Sequence, residues 1–372
     1  MSYTIHTQIT TRGVAASTLL ISTLSCTQAT RMGVESSRPS FAAAGAIISS
    51  IGNSARGLFE SQTVSLALDR IDQHDLPLDR TYRRTASGRG VTVYVFDGGV
   101  LATHPELTGR VRKGYDGFPG DPKVCNAHGT AVAGAVAGTT LGVAPEAEIV
   151  DVKMVECSKL RGTIKAIVEG TAWVIEDHQK HGGRPAVANW SFIADTSSHI
   201  PQLDTAVAQL RAAGIPVVVS AGNVEINACR ISPGNAQGAI VVGATAVARE
   251  DRASKPVDRR AINTAFGPCI DIYAPGDSVL LPSFDVSQSP SVQLWNGTSM
   301  AAGYVSGAVA LFFESHPYAD PDDALAYLRS SATRNVVEDS NAPLTWLLYV
   351  GPVREELQSV AEIRAQQLTR RH

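Results

Sequence analysis

No Cys-x-x-Cys pair occurs among the five cysteines, Cys26, Cys125, Cys157, Cys229 and Cys269, which argues against a zinc ribbon. No stretch reaches the roughly 18 consecutive apolar residues of a membrane span, so no membrane-spanning segment is expected. An excess of either charge is also missing. Lys and Arg number 32 against 35 Asp and Glu, for a net charge of −3, and without a basic bias no nucleic acid or other polyanion is implied as a partner. What remains is ordinary globular composition, 44% hydrophobic and 18% charged over 372 residues. That length suits one α/β domain with short extensions as well as it suits two domains.

Residues 1–60 differ in texture from the rest. Arg12 precedes an apolar, hydroxyl-rich run from Gly13 to Ser25 that is similar to the h-region of a secretory signal, diluted by Ser and Thr and without a good small-residue cleavage site. Residues 1–30 therefore read as a leader pointing to secretion or the periplasm. Residues 31–61 read as a linker or remnant pro-region, with one apolar patch from Phe41 to Ile51. From residue 62 onward, apolar strands alternate with amphipathic helices. The strands are Val91–Phe96, Glu148–Met154, Ala186–Trp190, Pro216–Val219, Ala239–Val242 and Ile270–Tyr273. One helical face carries Ile164, Ile167, Val168, Thr171, Ile175 and His178 and stops at Gly182-Gly183; another uses Leu203, Val207 and Leu210 and stops at Gly214. This order predicts an α/β fold with a mostly parallel sheet covered on both faces. Chemistry in such sheets gathers at the carboxyl ends of the strands.

Four short blocks sit at those ends or at helix starts. Asp97-Gly98-Gly99 follows the first strand; alone, it is a capped turn. Asn126-Ala127-His128-Gly129-Thr130-Ala131-Val132-Ala133-Gly134 places a histidine at the start of a small-residue helix, where a lone histidine is structural more often than not. Ser220-Ala221-Gly222-Asn223 ends a strand in a turn and offers a side-chain amide. Gly297-Thr298-Ser299-Met300-Ala301 delivers Ser299 to a helix N-terminus, where it is a cap or a nucleophile with equal weight. The combination decides. A serine hydroxyl needs a base, histidine titrates near neutrality, and a carboxylate fixes the imidazole tautomer and stabilises the imidazolium. The order Asp, His, Asn, Ser also separates this chain from an α/β-hydrolase, which runs Ser, Asp, His around Gly-x-Ser-x-Gly.

The four blocks resemble the signatures of subtilisin-like serine peptidases, in particular the proteinase K-like bacterial branch. The likeness covers about residues 64–350, including Leu66-Ala67-Leu68-Asp69-Arg70-Ile71-Asp72-Gln73. It implies a subtilisin-like three-layer sandwich with a catalytic domain over 62–350. Asp97, His128 and Ser299 would be the triad, with Asn223 and the Ser299 N–H as oxyanion donors. Ser191, Phe192, Ile193 and Ala194, together with Ser220, Ala221 and Gly222, would line the site for an extended polypeptide. The resemblance also implies disulfides Cys125–Cys157 and Cys229–Cys269, with Cys26 in the leader. No catalytic cofactor is implied, but structural calcium is, at two places: Asp271 with the carbonyls of Gln237 and Ala239, and Asp69, Asp72, Gln73 and Asp79, the less favoured alternative for the latter being a solvated acidic turn. The Asn-x-Ser/Thr matches at Asn189 and Asn296 then fall inside the core and are discounted as glycosylation signals. A monomer is expected.

The chain departs from the family pattern at several points. Gly98 replaces a hydroxyl residue, Ala127 a glycine, Ala131 a second histidine, and Gly303 a proline. The largest departure is Ser191-Phe192-Ile193-Ala194, where the pattern is close to Ser-Leu-Gly-Gly. Side chains at 193 and 194 are expected to narrow the pocket for the residue before the scissile bond, at roughly 10–200-fold per methylene-sized misfit. Upstream, about 60 residues are too few for both a signal and a full prodomain. Residues 351–372, with Leu357, Val360, Ile363 and Leu368 amid charges, read as an amphipathic helical tail. Three activities compete: a serine endopeptidase, a catalytically impaired subtilase fold that binds peptides, and a non-proteolytic esterase. The nucleophile block and strand-edge segment favour the first.

Overall fold

Alternate residues of the strand Thr92–Asp97 face opposite ways, as the two-residue period of a strand requires. Val93 and Val95 enter one hydrophobic core; Tyr94 and Phe96 enter another. With every residue of this strand buried, the sheet must be covered on both sides. The protein is described by a computed structural model over residues 5–6, 59–63, 65–194, 199–246 and 257–352. The expected C-terminal helix beyond residue 352, Cys26 and most of the expected leader and linker lie outside the described residues.

The helices are α1 (Leu66–Ile71), α2 (His128–Ala137), α3 (Ile164–Lys180), α4 (Pro201–Ala212), α5 (Thr298–Ser315) and α6 (Pro321–Ser331). Their starts are written locally. Ser65 and Thr163 accept from the N–H groups of Leu68 and Ala166. Pro201 opens α4, and Asp320 with Asp323 forms a reciprocal capping pair on α6. Residues of α2, α5 and α6 share the core of Val93 and Val95, whereas residues of α3 and α4 share that of Tyr94 and Phe96. The result is helix, sheet, helix in three layers.

The central sheet runs Val337–Glu338, Asp258–Arg260, Ile240–Ala246, Val217–Ser220, Ala186–Trp190, Thr92–Asp97, Glu148–Lys153, Val111–Asp116, with Ile272–Asp277 also paired to Ile240–Ala246. Its pairs are parallel except where Ile240–Ala246 meets Asp258–Arg260. Each strand expected from the sequence is present, shifted by no more than a few residues at its ends. The face expected for α3 needs correction. Val168 is exposed and Ile175 only half-buried, while Gly170, Val174 and Asp177 turn inward. The cause is polar: Tyr94 Oη donates to Asp177 Oδ2 at 2.8 Å, and Arg112 closes on the same carboxylate at 3.0 and 2.8 Å. A hydrophobic periodicity cannot register an inward carboxylate that is fully partnered.

Helix α5 is buried along almost its whole length, and small residues let α2 lie close against it. A β-carbon on Gly303 would fall 2.8 Å from Ala135 Cβ and 3.0 Å from the Val132 carbonyl oxygen. Glycine at 303 thus serves helix contact, which brings the two helices carrying His128 and Ser299 together. Ala131, in the other departure on α2, is fully buried in the same core. Two disulfides tie down loops at the rim: Cys125–Cys157, across 32 residues, and Cys229–Cys269, across 40. Loops of this size contribute about 3–4 kcal/mol each in a chain-entropy treatment.

Candidate active site

Three neighbouring strands of the sheet, Val217–Ser220, Ala186–Trp190 and Thr92–Asp97, are parallel. Their carboxyl ends therefore meet on one rim, which receives Asn223, Ser191 and Asp97 side by side. Asp97 closes its strand and is buried, as is His128 at the first position of α2. Their contact is short: His128 Nδ1 lies 2.8 Å from Asp97 Oδ2. With Nδ1–H donating to the carboxylate, Nε2 keeps its lone pair. Asp97 Oδ1 accepts from the Gly98 N–H at 2.7 Å, so a backbone donor supports the carboxylate although residue 98 has no hydroxyl. Gly129 is needed for this approach, because a β-carbon there would lie 3.0 Å from Asp97 Cβ and closer still to the Gly99 carbonyl. Ala127 sits at φ −77°, where no glycine is required. Trp295 stands edge-on to the His128 ring at 6.3 Å.

Ser299 is the second residue of α5, buried and reached through Gly297 at φ +140°. Its hydroxyl donates to the Ser191 carbonyl at 3.2 Å. Ser191 is held in turn, since its Oγ donates to the Ser299 carbonyl at 2.9 Å and accepts from Asn189 Nδ2 at 2.9 Å. Ser306 Oγ completes this chain onto Asn189 Oδ1. Asn189 is fully buried, so it offers no acceptor for a sugar; Asn296, the other sequon, is exposed and accepts from the Ser278 N–H. The Asn223 amide is oriented by Thr298, whose N–H and Oγ1–H both donate to Oδ1, at 2.8 and 3.0 Å. Nδ2 carries no hydrogen bond among the described residues and lies near Gly297, at the entrance to α5. Thr298 is an orienting residue that pattern reading does not reveal. The Ser191 carbonyl, a main-chain group, leaves no trace in side-chain identity.

Of the expected groove residues, Ile193 is the one placed against Gly222. Its Cδ1 and Cγ2 are 3.1 and 3.2 Å from where a β-carbon on Gly222 would stand, and Gly222 itself has φ +107°. Phe192 differs from expectation: its side chain is buried and stacks on Trp190 at 5.4 Å, so it belongs to the core. Its carbonyl accepts from Ser220 Oγ at 3.3 Å. Ala194 is buried as well, and Ala221 donates its N–H to Val242.

The two oxygen sets behave differently when tested for a cation. Among the described residues, no three His, Cys, Asp or Glu side chains converge as a metal cluster. At the first set, Asp69 accepts from the Asp79 and Arg80 N–H groups, and Asp79 pairs with Arg83 at 2.8 Å. Yet Asp72 Oδ1 and Gln73 Oε1 are buried with no hydrogen-bond partner among the described residues, and burial pushes the Asp72 carboxyl up to about 7. Two orphaned hard oxygens fit a calcium ion. The second set does not fit. Asp271 Oδ2 accepts from the Val241 N–H at 2.9 Å and Oδ1 from Arg329 Nη2 at 2.6 Å, while Gln237 is exposed. A guanidinium already supplies the positive charge, which corrects the expectation for Asp271, Gln237 and Ala239.

Comparison with known proteins bears on this constellation. The model of the Subtilase family matches residues 88–346. The chain belongs to the subtilase family. This subtilase is 41% identical over 275 residues to an extracellular serine proteinase of Thermus sp. (strain Rt41A), covering 73% of this chain and 62% of that protein. It is 34% identical over 284 residues to alkaline serine exoprotease A of Vibrio alginolyticus, covering 76% of this chain and 49% of the relative. The chain thus spans about half to three fifths of these curated relatives. A crystal structure of a cold adapted subtilisin-like serine proteinase superposes with a TM-score of 0.68 at 34% identity, over 79% of this subtilase and all of that chain.

Proposed function

We propose that this subtilase is a serine endopeptidase whose catalytic unit lies within residues 62–350. The observation that carries the reading is the buried 2.8 Å contact between His128 Nδ1 and Asp97 Oδ2, in a chain that also places Ser299 at the N-terminus of α5. In the reaction, Ser299 Oγ turns from the Ser191 carbonyl to His128 Nε2, gives up its proton there and attacks the peptide carbonyl. Asp97 holds the imidazole tautomer and stabilises the imidazolium. Asn223 Nδ2, presented by Thr298, and the Ser299 N–H meet the developing oxyanion. His128 then delivers the proton to the leaving amine, and water repeats the sequence to release the acyl group.

The substrate is an extended polypeptide, and Ile193 against Gly222 narrows the pocket for the residue before the scissile bond. Calcium, where bound, is structural: Asp72 and Gln73 would hold it and tie the segment after α1 in place. Two disulfides suit an oxidising compartment, which agrees with secretion, as does the extracellular relative. Monomeric action suits this reading, since the proposed triad needs no residue of a second chain. The impaired-binder reading gains nothing from Gly98, whose N–H supports Asp97 directly. Treating wild type and Ser299→Ala with a fluorophosphonate probe tests the proposal: labelling of folded wild type alone is expected, and absence of labelling in both would refute it.

A further inference from the structure

Glu148–Lys153 neighbours Thr92–Asp97 on the side away from Ser191, and it carries an acid that the proposed reaction does not use. Asp151 stands opposite Val95, and Lys153 opposite Asp97, in parallel register. Alternation puts residues 151 and 153 on the same face as 95 and 97, the face whose core includes α2. Strand spacing and rise separate the α-carbons of Asp151 and Asp97 by roughly 8 Å. Both side chains are buried. The Asp151 carboxyl accepts from the Val100 N–H, in the turn that follows Asp97. The next N–H, of Leu101, donates to Thr130 Oγ1 at 2.9 Å, on the helix that begins with His128. Asp151 therefore braces one side of the turn behind the Asp97–His128 pair, and Thr130 the other. Asp151 Oδ1 is buried with no hydrogen-bond partner among the described residues.

We propose that Asp151 is a positioning residue of the triad, a second carboxyl behind Asp97 whose ionisation favours the His128 imidazolium and so sets the pH range in which Ser299 is activated. The proposal rests on the reading of Asp97, His128 and Ser299 as a triad. The carboxyl changes charge in the neutral range, because burial, aided by Asp97 and Asp116 on the neighbouring strands, pushes it up to about 7 against the Val100 N–H and Lys113. The nearby cations are engaged elsewhere. Lys113, opposite Asp151 on Val111–Asp116, pairs with Asp116 at 3.5 Å, and Lys153 with Asp116 at 3.6 Å and the Phe118 carbonyl at 3.3 Å. Protonated, Asp151 is a neutral acceptor for Val100. Ionised, it adds a negative charge behind Asp97, roughly 10 Å from the imidazolium by the same strand geometry. At that distance, and at a dielectric between those of the protein surface and bulk water, the charge favours the imidazolium roughly two- to fivefold.

The test compares the full chain with Asp151→Asn, which keeps an oxygen acceptor for Val100 and removes the charge. The His128 ring is titrated by NMR, the Asp151 carboxyl carbon likewise in wild type, and kcat/KM for a peptide substrate is followed over the same pH range. In Asp151→Asn the His128 midpoint and the acid limb of kcat/KM are expected roughly 0.3–0.7 pH unit lower than in wild type, and kcat on the alkaline plateau roughly two- to fivefold lower. Coincident His128 titrations in the two proteins overturn the proposal, and so does a shifted His128 midpoint with an unmoved acid limb in an active protein. If Asp151→Asn does not fold, wild type decides alone: His128 should show a second inflection where the Asp151 carboxyl titrates, and a single inflection overturns the proposal. A shifted His128 midpoint in a protein that neither cleaves nor takes a fluorophosphonate label supports the charge coupling and refutes the peptidase reading instead.

Discussion

Ile193 offers the sharpest handle on specificity. The side chain is 5% exposed, and its two terminal carbons sit 3.1 and 3.2 Å from the β-carbon position of Gly222. A side chain at 222 would meet them inside ordinary van der Waals distance. Removing the side chain in Ile193→Gly clears four carbons from the proposed pocket wall. One methylene of fit in an apolar pocket is worth about 1–3 kcal/mol. The change should therefore raise kcat/KM for substrates with Phe, Tyr or Leu before the scissile bond by at least roughly 10-fold, and up to about 200-fold, relative to Ala. Stability will suffer, by about 2–5 kcal/mol for the lost buried side chain plus up to about 1 for backbone freedom. Ile193→Ala should give a smaller shift in the same direction with less damage. The assay is a series of peptide amides differing only at that residue, with each variant's folded fraction set by active-site titration. An unchanged preference ratio in both variants would show that Ile193 does not shape the pocket.

Three further outcomes follow from particular contacts. Asn223→Ala should lower kcat about 10²–10³-fold with little change in KM, the range known for loss of one oxyanion donor in a subtilisin; a loss under fivefold would remove Asn223 from that role. Asp151 is buried with Oδ1 unpartnered, and burial, aided by the charges of Asp97 and Asp116 and opposed by the Val100 N–H, pushes its carboxyl up to about 7. The native state then holds this proton more tightly than the unfolded chain, so the associated stability is complete below about pH 4 and is lost as pH rises through about 7. Asp151→Asn should flatten that decline in urea midpoints between pH 4 and 8; parallel curves for the two proteins would contradict it. Finally, calcium at about 100 times its Kd should stabilise wild type by about 2.7 kcal/mol, seen as a rise in thermal midpoint. Asp72→Ala should abolish the rise, and a calcium-insensitive wild type would remove the metal from the account.

The sequence showed the strands and the four blocks because each is a local signal: an apolar run that stops, then a small-residue turn carrying one reactive group. It could not show what depends on distant chain segments. Thr298 orients Asn223 from 75 residues away, and Arg329 reaches Asp271 across 58. Neither separation has a period or a motif. The face of α3 was misplaced for a related reason, since Arg112 and Tyr94 make Asp177 an inward residue. Phe192 is expected in the groove because of its place in the Ser191–Ala194 block, but its ring stacks on Trp190 and joins the core. The cysteine pairing came from resemblance, as spacing alone leaves three ways to join four cysteines. Gly303 shows the converse: in the sequence it is only a glycine where the family pattern has a proline, while its close approach to Ala135 shows two helices held close.

In the proposed reaction Ser299 acts as the nucleophile with His128 and Asp97 behind it. Cleavage of a defined peptide by folded wild type, compared with Ser299→Ala and Asp97→Asn, tests this most directly. Wild type should cleave and release product through an acyl-enzyme trapped by rapid acid quench, Ser299→Ala should not form it, and Asp97→Asn should lose about 10⁴-fold in kcat through the wrong imidazole tautomer. Equal cleavage by wild type and Ser299→Ala would contradict the central claim.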